Sequence, residues 1–102
     1  METDRRPTAP GVILKSHFLD QRGLSISRFA TLAGISRKHV SAMVHARAAV
    51  TADSAWRFAR VLGTSPAFWM NLQVAVDIHD AGAKLGHWRP RETHSGTPET
   101  TA

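Results

Sequence analysis

Apolar residues recur along this chain at spacings of three and four, the pattern of amphipathic α-helices, and no segment alternates as a β-strand does. The first helical segment begins at Pro10 and ends at Gly23. Four more follow, each preceded by a hydroxyl residue of the kind that accepts a hydrogen bond from the first turn of a helix. These candidate N-caps are Ser25, Ser36, Thr51 and Ser65. The pattern therefore predicts an all-α fold of five helices.

Composition divides the chain into three parts. Residues 10–81 carry the helical pattern and form the expected single domain, while residues 1–9 form a flexible N-terminal segment. From residue 82 onward Gly, Pro, Thr and His accumulate, which predicts a mobile C-terminal tail over residues 82–102. The sequence has no cysteine and no apolar run of the ~18–20 residues that cross a bilayer, so we expect a cytoplasmic protein without disulfides.

Positive charge is concentrated in the middle of the chain. The whole sequence has a net charge of +5, whereas residues 22–60 contain seven basic residues and one acid, Asp53, for a net charge of +6. A localised basic surface is typical of a protein that binds a polyanion. On charge alone, a solvated surface of mixed charge remains the alternative.

The second and third predicted helices, residues 26–33 and 37–45, are joined by the sequence GIS. A glycine-containing connection of about three residues is typical of a helix-turn-helix motif. On the second helix of this motif, helical periodicity turns Val40, Met43 and Val44 toward the core. The residues on the opposite side are Arg37, Lys38, Ser41, Ala42 and His45, with His39 at the margin.

This outward face suits the major groove of DNA. An arginine can donate two hydrogen bonds to guanine, a hydroxyl can contact a base or a phosphate, and a methyl group can contact thymine. The expected base-reading residues are Arg37, Lys38, Ser41, Ala42 and His39. The helix N-termini at Ser25 and Ser36 are expected to donate to phosphates, and His45 is assigned to the phosphates too. The alternatives are an αα-hairpin with a solvated charged face and, for His39, a plain polar position.

The last predicted helix, which begins in SPAFWMNLQVAVDIH, has apolar residues on two separate sides. One stripe, led by Phe68, Trp69 and Leu72, is enough to dock the helix on its own domain. The second stripe needs another cover. We expect that cover to be a second copy of the chain in a homodimer, with a partner protein or the C-terminal tail as alternatives. The predicted interface residues are Met70, Asn71, Val74 and Ile78.

No pattern in the sequence indicates catalysis or cofactor binding. The six histidines form no zinc-binding spacing such as HExxH, and no glycine-rich phosphate loop is present. Gln73, Asp77 and Asp80 share the polar side of the last helix, and Asp77 and Asp80 are expected to be solvated, with contact to a basic partner as the alternative. We therefore expect a protein that is not an enzyme, with no catalytic residue, no metal site and no cofactor.

Two blocks of sequence resemble the HigA/VapI-type antitoxins of the Xre helix-turn-helix family. They are LSISRFATLAGISRKHVSAMV and VTADSAWRFARVLGTSPAFWMNLQVAVDI, within a match over residues 10–81. The first block is shared with the wider lambda-repressor-like superfamily, whereas the second is more specific to the antitoxins. The resemblance implies a five-helix lambda-repressor-like fold.

The resemblance also implies a function. A protein of this type binds, as a homodimer, a palindromic operator upstream of its own operon, and neutralises a RelE-like, HigB-type toxin that cleaves mRNA. By position, the residues implied at the bases are Arg37, Lys38 and Ser41. Those implied near the phosphates are Ser27, Ser36 and Arg47. Two other functions stay open, namely an orphan Xre-family regulator without a toxin and a module that binds only proteins.

The chain departs from the family pattern at two places. Relatives usually begin the first helix with HPGEIL, where this chain has Ala9 and Val12 in place of the histidine and the glutamate. They often end the recognition helix with Asn-Gly, where this chain has His45 and Ala46. An alanine at the second position is strained if the turn requires a left-handed backbone.

Overall fold

A computed structural model describes residues 5–94, and the regular structure in that range is entirely helical. The first helical run consists of α1 (Pro10–Ile13), a π-helical segment (Leu14–Leu19) and a 3₁₀ turn (Asp20–Arg22). It is followed by α2 (Ile26–Ala33), α3 (Arg37–Val44), α4 (Ala52–Leu62) and α5 (Pro66–Leu85). The predicted all-α fold with five helical segments is confirmed.

The helix boundaries follow the predicted capping residues. Each N-cap hydroxyl oxygen accepts a hydrogen bond from the backbone N–H three residues later, at distances between 3.0 and 3.3 Å. The C-terminal end differs from the prediction, because α5 continues to Leu85 and the non-helical segment begins at Gly86 rather than at residue 82. Alanine, lysine and leucine near this end are strong helix formers, which explains why the single glycine at position 82 does not end the helix.

Aromatic rings form the centre of the core. Phe29 of α2, Phe58 of α4 and Trp69 of α5 are fully buried. The ring centroids lie 5.3 Å apart between Phe29 and Phe58, and 5.2 Å apart between Phe58 and Trp69. Trp69 Nε1 also donates to Thr64 Oγ1 at 2.7 Å, so its polar atom is satisfied. Phe18 adds a contact from the first helical run, with its centroid 5.2 Å from that of Trp69.

The first apolar stripe of α5, led by Phe68, Trp69 and Leu72, packs against this core, as predicted, although Phe68 does so only in part. Trp69 and Val76 are buried, and Leu72 packs against the buried cluster, whereas Phe68 keeps 38% of its surface exposed. Met70, which was predicted for the second stripe at the dimer interface, is half-buried and also packs against the core. The outer apolar surface of α5 is therefore carried mainly by residues further along the helix.

Gln73, on the polar side of α5, is not solvated. Its side chain is buried, with Oε1 accepting from the Val50 N–H at 2.8 Å and Nε2 donating to Asp77 Oδ1 at 2.9 Å. The loop between α3 and α4 brings the Val50 backbone into the core, and a buried N–H requires an acceptor. Gln73 supplies that acceptor and ties the loop to α5.

Asp80, which was expected to be solvated, forms an ion pair with the N-terminal segment. Arg6 donates from Nε and Nη2 to the two carboxylate oxygens of Asp80, each at 2.9 Å. The Arg6 guanidinium, through these hydrogen bonds, lowers the pKa of Asp80 to about 2. The pair links the chain just before α1 to the last third of α5.

Ala46, where relatives often have glycine, occupies a left-handed backbone conformation in the turn after α3. Its φ is 59°, and no other non-glycine residue within 5–94 has a positive φ. A Cβ makes this conformation unfavourable for alanine, whereas glycine adopts it without that cost.

We therefore expect Ala46→Gly to raise the free energy of unfolding by about 1 kcal/mol and the Tm by about 4–8 °C. Thermal denaturation followed by circular dichroism measures the change. Ala49→Gly is the matched control, because Ala49 lies in the same loop without a positive φ and glycine there only adds flexibility to the unfolded chain. A Tm for Ala46→Gly at or below that of wild type would contradict the strain.

Candidate nucleic-acid interface

The core fixes which side of α3 faces outward. Val40, Met43 and Val44 are buried, as the periodicity predicted, and they hold α3 against the rest of the domain. The opposite side contains all of the predicted base-reading residues. Arg37, Lys38 and His39 are exposed, whereas Ser41 and Ala42 are half-buried.

Arg57 of α4 stabilises the turn between α2 and α3 through hydrogen bonds to its backbone. Its Nη1 donates to the carbonyl oxygens of Ala33 at 3.0 Å and Gly34 at 3.3 Å, while its Nε donates to Asp53 Oδ2 at 2.8 Å. A Cβ at Gly34 would lie 2.9 Å from Arg57 Nη1, so a larger residue would displace this guanidinium, and the φ of 70° disfavours any residue other than glycine there. Sequence reasoning missed this role, although the i,i+4 spacing of Asp53 and Arg57 was a signal that the arginine is held in place.

The N-termini of α2 and α3 lie close together. Ser25 and Ser36 cap these two helices, as described above, so both helix starts are well ordered. Ser27 in the first turn of α2 contacts Arg37 in the first turn of α3, through a hydrogen bond from Arg37 Nε to Ser27 Oγ of 2.9 Å. Ser27, which is implied near a phosphate, and Arg37, which is expected to read a base, are thus in direct contact.

His45 follows the last residue of α3, and a hydrogen bond from its ring fixes the position of one ring proton. Its Nδ1 lies 2.8 Å from the carbonyl oxygen of Ser41. A carbonyl oxygen only accepts, so Nδ1 carries the proton of this bond. Nε2 is consequently an acceptor in the neutral ring, and His45 donates to a phosphate through Nε2 only when the ring is protonated.

Arg47 lies in the loop after α3, two residues beyond His45 and at the opposite end of α3 from Ser36. It is exposed and lines a cavity of about 200 Å³ between the loop after α3, the N-terminal segment and α5. Arg6, Gln73, Asp77 and Asp80 line the same cavity. The structure thus brings Arg47 near the ordered polar side of α5 rather than to the start of α3.

The positive charges of the predicted surface have no carboxylate partner among residues 5–94. Arg28, Arg37, Lys38 and Arg47 form no ion pair with a residue in the range 5–94. Arg57, in contrast, is paired with Asp53, and Arg6 with Asp80. The basic surplus predicted from the sequence is therefore available for a polyanion.

Other chemistry finds no support in the part of the chain that the structure describes. No group of three or more His, Cys, Asp or Glu residues within 5–94 is placed to hold a metal ion. No helix in that range is both long and apolar enough to span a membrane.

The short turn between α2 and α3, the buried inner side of α3 and its basic outer side define a helix-turn-helix protein. The helix-turn-helix family model matches residues 17–69, about half of the chain. The Vibrio cholerae antitoxin HigA-1 is 38% identical over 79 residues, which cover 78% of this chain and 74% of that protein. The uncharacterized regulator YbaQ of Escherichia coli K12 is 39% identical over 77 residues, covering 76% and 68% respectively.

A solved structure agrees with these sequence relatives. Pseudomonas aeruginosa antitoxin HigA, whose structure includes the higBA promoter, superposes with a TM-score of 0.81 and 33% identity. The match covers 88% of this chain and 98% of that one. The chain belongs to the HigA-type antitoxins of the Xre-like helix-turn-helix family.

Proposed function

We propose that this antitoxin binds a palindromic operator upstream of its own operon and represses its own expression. The observation that carries the proposal is the outer side of α3, where exposed basic side chains are held outward by a buried inner side and have no carboxylate partner in the described part of the chain. The promoter-bound structure of the related Pseudomonas HigA supports the same mode of action. Such a protein acts in the cytoplasm, where the DNA is.

In this proposal the two sets of side chains divide the work. Base edges are read by Arg37, Lys38, Ser41, Ala42 and His39 from α3. The helix N-termini hold the phosphate backbone together with Ser25, Ser27, Ser36, His45 and Arg47. The hydroxyls of the two caps already accept hydrogen bonds from their own helices, so each contributes its remaining O–H and the neighbouring backbone N–H groups.

We further propose that the protein acts as a homodimer through one side of α5. Val74 is 46% exposed and Ile78 is 68% exposed, which is unusual for apolar residues near the middle of a helix. A continuous line of residues at alternating spacings of three and four contains both, the spacing of helices that pack side by side. This α5 seam consists of Asn71, Val74, Ile78, Ala81 and Leu85. Met70 borders it.

A two-fold dimer buries the α5 seam against its own copy. It also places two copies of α3 about 34 Å apart, one turn of DNA, so that each reads one half of an inverted repeat. Within each protomer, Gln73 joins α5 to the loop that carries Arg47, because its Oε1 accepts from the Val50 N–H.

The operator proposal is tested by an electrophoretic shift with the DNA upstream of the gene. We expect a tight complex whose affinity falls by about 10³-fold or more between 50 and 200 mM salt, because phosphate contacts release counterions. A random duplex of the same length is the control and should bind more weakly. Failure to shift either DNA would favour the alternative in which the basic face binds only protein.

We also propose a toxin partner, a RelE-like, HigB-type ribonuclease that the antitoxin holds inactive. The family membership supports this proposal. Co-expression tests it: a neighbouring reading frame of this type should arrest growth when expressed alone and should not do so together with the antitoxin. Persistent growth arrest, or a neighbourhood without such a frame, would instead identify an orphan regulator.

A further inference from the structure

We propose that Ser27 is a positioning residue that orients Arg37 for base reading, rather than only a phosphate contact. The inference rests on the proposed operator binding. Its starting point is the hydrogen bond of 2.9 Å from Arg37 Nε to Ser27 Oγ, which joins the first turns of the two helices of the motif.

The contact restrains a side chain that is otherwise free to move. Arg37 is exposed, and it forms no ion pair with any residue from 5 to 94. A long exposed side chain of this kind loses many rotamers when it binds DNA. A hydrogen bond that already selects one orientation in the free protein reduces this loss, because the conformation is fixed before the base is met.

The Arg37 atom that donates to Ser27 determines which N–H groups of the guanidinium remain to contact DNA. The guanidinium has five N–H groups, of which Nε has one and the two terminal nitrogens have four. With Nε donating to Ser27, both terminal nitrogens remain free to face the O6 and N7 atoms of a guanine. The contact thus favours an end-on approach of Arg37 to a single base.

A serine suits this role because its hydroxyl is a neutral acceptor. An aspartate in the same place would also orient the arginine, but it would cancel the positive charge and repel the DNA phosphates. The hydroxyl keeps its own proton after accepting from Arg37, so it can still donate to a phosphate. The two roles differ in what they predict: a phosphate contact adds affinity for any DNA, whereas orientation of Arg37 adds affinity for the operator alone.

The test measures the ratio of operator affinity to random-DNA affinity by fluorescence anisotropy. Ser27→Ala should lower this ratio by about three- to tenfold, as expected for the loss of one hydrogen bond. Ser27→Thr keeps the hydroxyl and should restore the ratio. Ser16→Ala is the matched control, because Ser16 is an exposed helical serine whose hydroxyl donates to the Val12 carbonyl and lies 3.0 Å from Nδ1 of neighbouring His17.

A double-mutant cycle assigns the effect to Arg37. In an Arg37→Ala background, Ser27→Ala should leave the ratio unchanged, since the side chain to be oriented is absent. An equal effect of Ser27→Ala in both backgrounds would overturn the positioning role. So would an unchanged ratio in the single variant, with affinity for both DNAs reduced alike, which is the signature of a phosphate contact only.

A measurement without DNA separates this inference from the proposed function. In nitrogen-15 spectra of the free protein, the Arg37 Nε–H signal should be protected from solvent exchange in wild type and in Ser27→Thr, and lost in Ser27→Ala. An unprotected signal in wild type would remove the basis of the inference even if the operator binds. A wild-type protein with the protected signal but no preference for the operator would instead refute the proposed function.

Discussion

Arg37→Ala is expected to weaken operator binding by about 1–3 kcal/mol, because a bidentate arginine–guanine contact is worth that much in discrimination. Binding to random DNA should weaken much less, since only one of several positive charges is lost. Arg37 begins α3, where a recognition helix enters the major groove most deeply, and no carboxylate within 5–94 neutralises it. Fluorescence anisotropy with an operator duplex and a random duplex measures both affinities.

Arg91→Ala is the matched control for this variant. It removes the same charge from an exposed arginine that lies beyond α5 and outside the proposed surface. It should lower the affinity for both duplexes slightly and equally. If Arg37→Ala kept the wild-type ratio of operator to random binding, the assignment of Arg37 to base reading would be wrong.

Ile78→Asp is expected to convert the dimer to a monomer. Ile78 lies at the centre of the α5 seam and is the most exposed large apolar residue in the range 5–94. A two-fold interface brings two copies of the new carboxylate together, and each unpaired buried charge costs about 3–5 kcal/mol. Sedimentation velocity should show a single species of monomer mass, and operator affinity should fall with the loss of the second recognition helix.

Val12→Asp controls for the effect of an added charge. Val12 is also exposed, at 41%, but it lies on α1 and outside the seam. This variant should remain dimeric and folded, with the helical circular dichroism spectrum of wild type. A dimer of Ile78→Asp with unchanged stability would remove the seam from the interface.

Local signals made much of this structure predictable. The GIS connection and the periodicity of Val40, Met43 and Val44 fixed both the motif and the outward side of α3, because turn chemistry and burial act within a few residues. The Asn-Gly of relatives at the end of the recognition helix pointed to the turn in which Ala46 has a left-handed backbone. Each of these features depends on neighbours in sequence.

The missed features depend on partners far away in the chain. Gln73 is buried because the Val50 N–H, 23 residues earlier, needs an acceptor. Asp80 pairs with Arg6 across 74 residues. A helical wheel shows on which side of a helix a polar residue lies. It does not show whether a distant backbone N–H or a distant charged side chain is its partner. The contact between Ser27 and Arg37 was hidden in the same way, because it depends on how closely the starts of α2 and α3 approach.

The central claim is that a dimer of this chain reads an inverted repeat with two copies of α3. Hydroxyl-radical footprinting of the DNA upstream of the gene, with stoichiometry measured by sedimentation, tests it most directly. We predict two protomers per site, protecting two half-sites whose centres lie about 10–10.5 base pairs apart. A single protected half-site with one protomer bound, or protection no different from that of random DNA, would contradict the account.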